Sequence, residues 1–152
     1  MRVLVFCSLI FVSVSCDFAR VYEQNTPVSD GIWVENAPQT FEVAITDKTK
    51  HYNLYFNLRN TNEYKYSNLY VISELKLPSK QVEKDTLQFI LCDANGKWLG
   101  TNSGALVTHQ ILFQRNVLFP DTGTYRFTFN QAMRDASLQG ITEVGLRVEK
   151  AE

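Results

Sequence analysis

The sequence predicts an all-β domain, built as an antiparallel two-sheet sandwich of about eight strands. Three observations favour this class. Apolar and polar residues alternate along several segments, residues 41–45 and 125–129 among them, with the two-residue period of a half-buried strand. Turn formers separate these segments, and helical periodicity is scarce. Because strands that are apolar on one side need a second sheet to cover them, a sandwich follows, with immunoglobulin-like and jelly-roll topologies both open.

The chain divides into three parts. Residues 1–15 are expected to be a lipoprotein signal peptide, residues 16–37 a lipidated N-terminus with a tether and lead-in segment, and residues 38–152 the β-sandwich domain. Turn formers such as Pro27 and Gly31 dominate the lead-in segment, with Ile32–Val34 as one short strand.

The strands and turns of the domain are predicted in order along the chain. Pro78 ends one strand, because proline cannot donate to a ladder. Asn95-Gly96 predicts a tight hairpin turn with positive φ angles. The D-x-G-x-Y-x-F run at 121–127 resembles a tyrosine corner, in which the Tyr125 hydroxyl bonds back to the backbone; a simple turn is the alternative. The predicted strands are residues 41–45, 52–58, 69–77, 86–92, 97–99, 111–113, 116–119, 125–129 and 144–148.

One short helix is predicted near residues 131–139. Ala132, Met133, Arg134 and Leu138 are good helix formers, and Gly140 follows them as a fitting C-cap. This helix would connect the last two strands of the sandwich.

An export signal occupies the start of the chain and ends at a cysteine. Arg2 precedes an apolar run of about twelve residues, too short to span a bilayer. Ser13-Val14-Ser15-Cys16 resembles a bacterial lipobox, although leucine is usual where Ser13 stands. We therefore expect lipid on the Cys16 sulfur and anchoring to a membrane. Ordinary secretion, with Cys16 near the cleavage point by chance, is the alternative.

The charge pattern bears on the classes of partner. Lys plus Arg number 15 and Asp plus Glu number 16, and no block of like charge stands out. A nucleic-acid partner therefore has no support, and neither does a polybasic membrane patch.

No metal, cofactor or catalytic residue is predicted. His51 and His109 lie far apart in sequence with no cysteine pair nearby, so a metal site is not expected. Glu83 and Asp85 have the chemistry of a glycosidase pair, but a solvated strand edge explains them better. Cys92 lies in an apolar run and is expected to be a small buried hydrophobe.

Aromatic residues near the predicted turns are the candidates for a binding surface. The set consists of Trp33, Tyr64, Tyr66 and Trp98, and Tyr70 lies close to the two tyrosines in sequence. Exposed rings stack on sugar faces or anchor a protein partner. Core packing and cross-strand pairing are the alternative.

Long blocks of the sequence resemble one bacterial family. They lie at residues 20–23, 31–33, 52–60 and 93–100, and in a C-terminal signature that starts with Gln131-Ala132-Met133-Arg134-Asp135 and ends at residue 147. These blocks are similar to the gliding-motility lipoprotein GldH family of Bacteroidetes, over nearly the whole mature chain. The resemblance implies a lipoprotein needed for gliding, in envelope machinery linked to type IX protein secretion, without enzyme activity. Cys16 is the one position whose role it maps.

Two functions follow from these observations. The first is a lipid-anchored, non-catalytic component of the gliding machinery, held by palmitate and other acyl chains at the cell envelope, with the family pointing to the outer membrane. Its partners would be the membrane and envelope proteins of that machinery. The second is a lipid-anchored carbohydrate-binding module of the envelope. A hydrolase would require a deep cleft with converging carboxylates.

Overall fold

The fold is all-β, as the sequence predicts, in a computed structural model that describes residues 18–151. Within that range the paired strands are antiparallel. In chain order the elements are β1 Arg20–Pro27, a 3₁₀ turn Ser29–Gly31, β2 Ile32–Val34, β3 Gln39–Ile45, β4 His51–Thr61, β5 Asn68–Lys76, β6 Val82–Ile90, β7 Thr101–Ser103, β8 Leu106–Leu118, β9 Gly123–Gln131, β10 Ser137–Gln139 and β11 Ile141–Lys150.

The strands are arranged as a jelly roll. The larger sheet has the order β1-β11-β4-β8-β7, the smaller sheet has the order β3-β9-β5-β6, and β10 pairs with β2. Apart from the three shortest strands the pairing is nested, because β1 pairs with β11, β3 with β9, β4 with β8 and β5 with β6. A long hairpin that rolls up on itself produces this order. The structure thus decides between the two topologies that the sequence leaves open.

The core lies between the two sheets and includes the residues of β3 that the alternation assigns to it. Phe41, Val43 and Ile45 of β3 are at most 1% exposed. Phe56 of the larger sheet stacks on Phe89 of the smaller sheet, with ring centroids 4.4 Å apart, and meets Phe129 edge-to-face at 5.1 Å. Such aromatic contacts add to the burial of apolar area in holding the sheets together.

The two predicted turn motifs are present. The Tyr125 hydroxyl donates to the Asp121 carbonyl at 2.8 Å and accepts from the Asp121 N–H at 3.2 Å, which confirms the tyrosine corner. Asn95-Gly96 lies in a hairpin that is closed by a 2.9 Å bond from the Asp93 N–H to the Lys97 carbonyl. Only the glycine of that pair has a positive φ, of 78°.

The helix predicted near residues 131–139 is wrong. Gln131 ends β9, residues 132–136 form an irregular loop, and Ser137–Gln139 is β10. Leu138 pairs with Trp33 of β2 and is 1% exposed, so burial in the core outweighs the helix propensity of this segment. Gly140 is a turn residue, with a φ of 83° and no room for a Cβ, which would lie 2.5 Å from the Tyr64 nitrogen.

The strand predictions need two further corrections. The sequence predicts separate strands at residues 111–113 and 116–119, but β8 runs continuously over Leu106–Leu118 and accommodates Asn116 at a φ of 55°. Residues 97–99 form only an isolated bridge, between Trp98 and Cys92, because the hairpin leads directly into a loop.

The lead-in segment predicted for residues 16–37 contains ordered strands. β1 pairs with β11 along the larger sheet, and β2 has the short strand predicted at Ile32–Val34. The signal peptide of residues 1–15 and Cys16 lie outside the described residues. Within residues 18–151, no helix has the length and apolar character that crossing a bilayer requires.

The sandwich has two ends, which we call lower and upper. At the lower end β1 begins at Arg20, β4 begins at His51 opposite Leu118, and β11 ends at Lys150. At the upper end β4 finishes at Thr61 and the chain crosses to β5 of the smaller sheet. With about 3.3 Å per residue, the eleven residues of β4 separate the two ends by roughly 30 Å.

Candidate functional site

The four candidate aromatic residues are divided between core and surface. Trp33 is fully buried, and its indole N–H donates to the Ala37 carbonyl at 2.9 Å. Tyr64 is 3% exposed, and its hydroxyl donates to the Asn68 carbonyl at 2.8 Å. Since an enclosed ring presents no face to a partner, these two residues belong to the core, which corrects their place in the predicted binding surface.

Trp98 is half-buried and lies over a buried histidine. Its indole N–H donates to the Asn62 Oδ1 at 3.0 Å, and its ring meets the His109 ring edge-to-face at 6.2 Å. His109 is 3% exposed, with its Nε2 3.0 Å from the Asn60 Oδ1. Burial lowers the pKa of His109, because the charged imidazolium loses its hydration. Trp98 thus covers a polar cluster and is only partly available for stacking.

Tyr66 is the half-buried aromatic residue that forms one wall of a groove at the upper end. Its hydroxyl donates to the Asp135 Oδ2 at 2.6 Å, and the Lys65 Nζ lies 2.9 Å from the same oxygen. The Lys65 ammonium is also 5.5 Å from the centre of the Tyr66 ring. The ring packs edge-to-face against buried Tyr64, with centroids 5.7 Å apart. Tyr66 is therefore held both at its hydroxyl and along its ring.

The three groups at this wall stabilise one another's protonation states. The hydrogen bonds from Tyr66 and Lys65 lower the pKa of Asp135. The Asp135 carboxylate in turn raises the pKa values of Lys65 and Tyr66. At neutral pH the wall consists of a carboxylate, an ammonium and a neutral phenol.

Gln131 shapes the opposite wall of the groove. This side chain is 1% exposed, its Oε1 accepts from the Met133 N–H at 2.9 Å, and its Nε2 donates to the Asp135 carbonyl at 3.0 Å. The Met133 Sδ accepts from the Tyr70 N–H at 3.3 Å, so the loop is attached to β5. Side-chain hydrogen bonds from Gln131 replace the main-chain bonds that a helix would have made here.

The groove between these walls has a cavity of about 370 Å³. This volume falls in the range of roughly 300–1,000 Å³ that is common for binding sites. Tyr70, which lines the groove, is 38% exposed, and Ile72 continues the surface beyond it, 42% exposed. Thioether and aromatic groups suit an apolar side chain of a partner, and Arg134 adds a cation at the rim. We call this site the aromatic groove; its lining residues are Tyr66, Tyr70, Ala132, Met133, Arg134 and Asp135.

Sequence reasoning identified the tyrosines of the aromatic groove and missed the residues that the loop 132–136 contributes to it. Tyr66 and Tyr70 were singled out because they are aromatic and close in sequence. Met133 and Asp135 were assigned to a helix, and no local pattern indicates that they face a tyrosine more than sixty residues earlier. The signal that could have found them is the block of family resemblance at residues 131–135.

The chemistry-bearing residues considered from the sequence lie apart from the groove. Glu83 and Asp85 are exposed on β6, whereas Lys84 between them is paired with Glu74 at 2.8 Å. Cys92 is buried, and burial raises the pKa of its thiol, as in a structural cysteine. Among residues 18–151 no group of three or more His, Cys, Asp or Glu is placed to hold a metal ion.

Comparison with known proteins gives consistent matches over nearly the whole chain. Residues 20–148 match the family model described as GldH lipoprotein. A protein of Christiangramia forsetii, named gliding motility lipoprotein GldH homolog, is 37% identical over 157 residues, covering 99% of this chain and 96% of that protein. The gliding motility lipoprotein GldH of Flavobacterium johnsoniae is 31% identical over 145 residues, covering 91% of this chain and 89% of that protein.

Proposed function

The chain belongs to the GldH lipoprotein family, and we propose that it is a lipid-anchored, non-catalytic component of the gliding motility machinery linked to type IX protein secretion. The observation that carries this proposal is the extent of the match, which begins with β1 and ends within β11. The two relatives named for gliding motility are close to this chain in length.

The proposed anchor is lipid on Cys16, with palmitate among the acyl chains and the outer membrane as the site of attachment. The apolar leader and the small residues before Cys16 support it. Each buried methylene contributes ~0.8 kcal/mol, and two or more chains make attachment stable. Cys16 stands four positions before Arg20, where β1 begins. Since four residues span at most ~14 Å, the folded domain would lie close to the membrane.

The proposed function of the domain is to bind another envelope protein of the machinery through the aromatic groove. The groove lies at the upper end, roughly 30 Å from the lower end by the length of β4. A lipid near Arg20 would therefore leave the groove facing away from the membrane. Buried aromatic anchors in such pockets contribute much of the affinity of protein interfaces.

The test of this function is deletion of the gene, followed by complementation from the native locus. We expect the deletion to impair colony spreading and the secretion of type IX cargo, and the wild-type copy to restore both. The protein from a Cys16→Ser copy should be absent from the membrane fraction and should migrate differently in electrophoresis. Unimpaired spreading and secretion in the deletion strain would overturn the proposed function.

Groove variants test which surface the function uses. Met133→Asp replaces an apolar side chain of the aromatic groove by a charged one, and Arg134→Glu reverses the charge at the exposed rim without disturbing the core. Both should be present in the membrane fraction yet fail to restore spreading. Leu99→Asp is the matched control, because Leu99 is an apolar side chain that is 60% exposed and lies outside the groove. Equal restoration by all three variants would exclude the groove.

A further inference from the structure

Lysines that are scattered along the sequence come together at the lower end of the sandwich. Residues 46–51, 76–82, 116–122 and 150–151 form this end, in the turns and strand termini around the start of β1. These segments carry five lysines and two aspartates, namely Lys48, Lys50, Lys76, Lys80 and Lys150 against Asp47 and Asp121. The five lysines are exposed. Among residues 18–151, positive charge is therefore in excess at this end; Asp17 and Glu152, which adjoin it in the sequence, lie outside the described residues.

The upper end has the opposite balance. Its connections, residues 27–31, 35–38, 62–67, 91–100 and 132–140, carry five carboxylates and three cations, namely Asp30, Glu35, Glu63, Asp93 and Asp135 against Lys65, Lys97 and Arg134. An anionic surface would attract the lower end of the molecule and repel the upper end. The two ends that differ in charge lie at opposite ends of the strands. An anionic surface would therefore orient the whole domain.

Large apolar side chains are exposed beside the lysines. Phe18 is 88% exposed and Leu118 is 55% exposed, whereas the leucines of the core are at most 9% exposed. Phe18 is two positions after Cys16 in the sequence. A phenylalanine and a leucine among lysines have the composition of a surface that enters a bilayer interface, where apolar side chains reach the acyl boundary and ammonium groups meet lipid phosphates.

We propose that the lower end of the sandwich is a membrane-contact surface that rests on an anionic phospholipid bilayer, with Phe18 and Leu118 at the interface and the lysines against the headgroups. This inference rests on the proposed lipid anchor at Cys16, which brings the surface within reach of the bilayer. The domain then stands end-on, with its strands pointing away from the membrane surface and the aromatic groove facing the aqueous space. Attraction of the lysines acts within a Debye length of the surface, about 8–10 Å.

The test uses the lipidated full chain, reconstituted into vesicles of equimolar phosphatidylcholine and phosphatidylglycerol. A nitroxide is attached to Leu118→Cys or to its matched control Leu99→Cys, two exposed leucines at opposite ends; buried Cys92 stays unlabelled. Collisions with oxygen, which concentrates in lipid, are compared with collisions with a water-soluble nickel complex. We expect the oxygen-to-nickel ratio at position 118 to be several-fold higher than at position 99.

The outcomes separate the two proposals. Equal ratios at positions 118 and 99 in protein that floats with the vesicles would overturn the membrane-contact surface and leave the anchor intact. Protein that does not float with vesicles would overturn both. A higher ratio at position 99 would mean the opposite orientation and would also overturn the inference.

A second measurement tests the role assigned to the lysines. The ratio at position 118 should rise at least twofold when phosphatidylglycerol replaces part of the phosphatidylcholine. Lys50→Glu combined with Lys80→Glu should abolish this rise, whereas Lys97→Glu at the upper end should preserve it. A ratio at position 118 that does not depend on phosphatidylglycerol in the wild-type chain would overturn the electrostatic part of the proposal.

Discussion

The two ends of the sandwich are built in different ways. At the lower end the connections are short, residues 46–50, 77–81 and 119–122, and the tyrosine corner of Tyr125 fixes one of them. At the upper end the connections include residues 62–67 and 91–100, and buried side chains such as Gln131 give them their shape. Short turns are enough to connect the strands at the lower end. A groove needs longer segments whose backbone polar groups are satisfied by side chains.

The largest difference between the ends is expected for glycine substitutions. Gly140→Ala should lower the free energy of unfolding by roughly 2–5 kcal/mol, because a Cβ would lie 2.5 Å from the backbone nitrogen of Tyr64 and the φ is 83°. Gly123→Ala at the lower end should cost less, about 1–3 kcal/mol, because its φ of 139° strains any side chain but the nearest atoms, the Pro78 Cγ and Cβ at 3.0 and 3.1 Å, lie farther from the added Cβ. Urea unfolding measures both, and a larger loss for Gly123→Ala would contradict the comparison.

Substitutions of polar side chains should also lower the free energy of unfolding more at the upper end than at the lower end. Gln131→Ala leaves the Met133 N–H and the Asp135 carbonyl without their partner and should cost about 2–4 kcal/mol. Tyr125→Phe, which removes the hydroxyl of the corner near solvent, should cost about 1–2 kcal/mol. Gln88→Ala, which truncates an exposed side chain of β6, is the control, with a change within about 0.5 kcal/mol. Hydrogen exchange at the Met133 amide should accelerate only in Gln131→Ala; unchanged exchange there would count against the role given to Gln131.

A pH dependence should come from His109, near the upper end. Burial lowers its pKa below the ordinary value of 6.5, so the unfolded chain takes up a proton before the folded chain does. The contribution of His109 to stability is therefore full above pH 6.5 and is lost as the pH falls toward the folded pKa. Chemical denaturation between neutral and mildly acid pH should show this loss, and His109→Gln should reduce it. An identical pH profile for His109→Gln would refute the assignment.

The smallest effect on stability is expected at the lysines of the lower end. Lys48 lies 3.8 Å from Asp121, and both side chains are more than half exposed. Lys48→Ala should therefore change the free energy of unfolding by about 0–0.5 kcal/mol, because solvent screens such pairs. Thermal unfolding in low and high salt would detect a larger contribution. A loss above about 1 kcal/mol would mean that this lysine has a structural role.

Local patterns predicted most of the fold and little of the groove. Alternation identified Phe41, Val43 and Ile45 as core, because a side-chain period of two is a local property of the chain. The nested strand order had no such signal, since β1 and β11 meet only through tertiary contacts. Residues 132–136 have helix propensity, but bonds from buried Gln131 and the pairing of Leu138 with Trp33 outweigh it.

The charge of the lower end is another feature that local patterns in the sequence do not predict. The sequence contains no block of like charge and therefore does not predict a polybasic patch. The fold nevertheless brings Lys50, Lys80 and Lys150 to one end, from three turns and strand termini that are far apart along the chain. Surface charge of this kind depends on topology, which neither composition nor local spacing reveals.

The nested strand order also constrains how the chain acquires its structure. β1 has its partner in β11, so the outermost pair of the jelly roll cannot form until the last ten-residue strand has been synthesised. Contacts between such distant segments give a high contact order, which slows folding because loop closure must precede the gain from pairing. Among the four nested pairs, β5 with β6 has the shortest loop to close, residues 77–81, and we expect it to form first. We expect folding to proceed outward from this pair, so that β1, although synthesised first among the strands, pairs last.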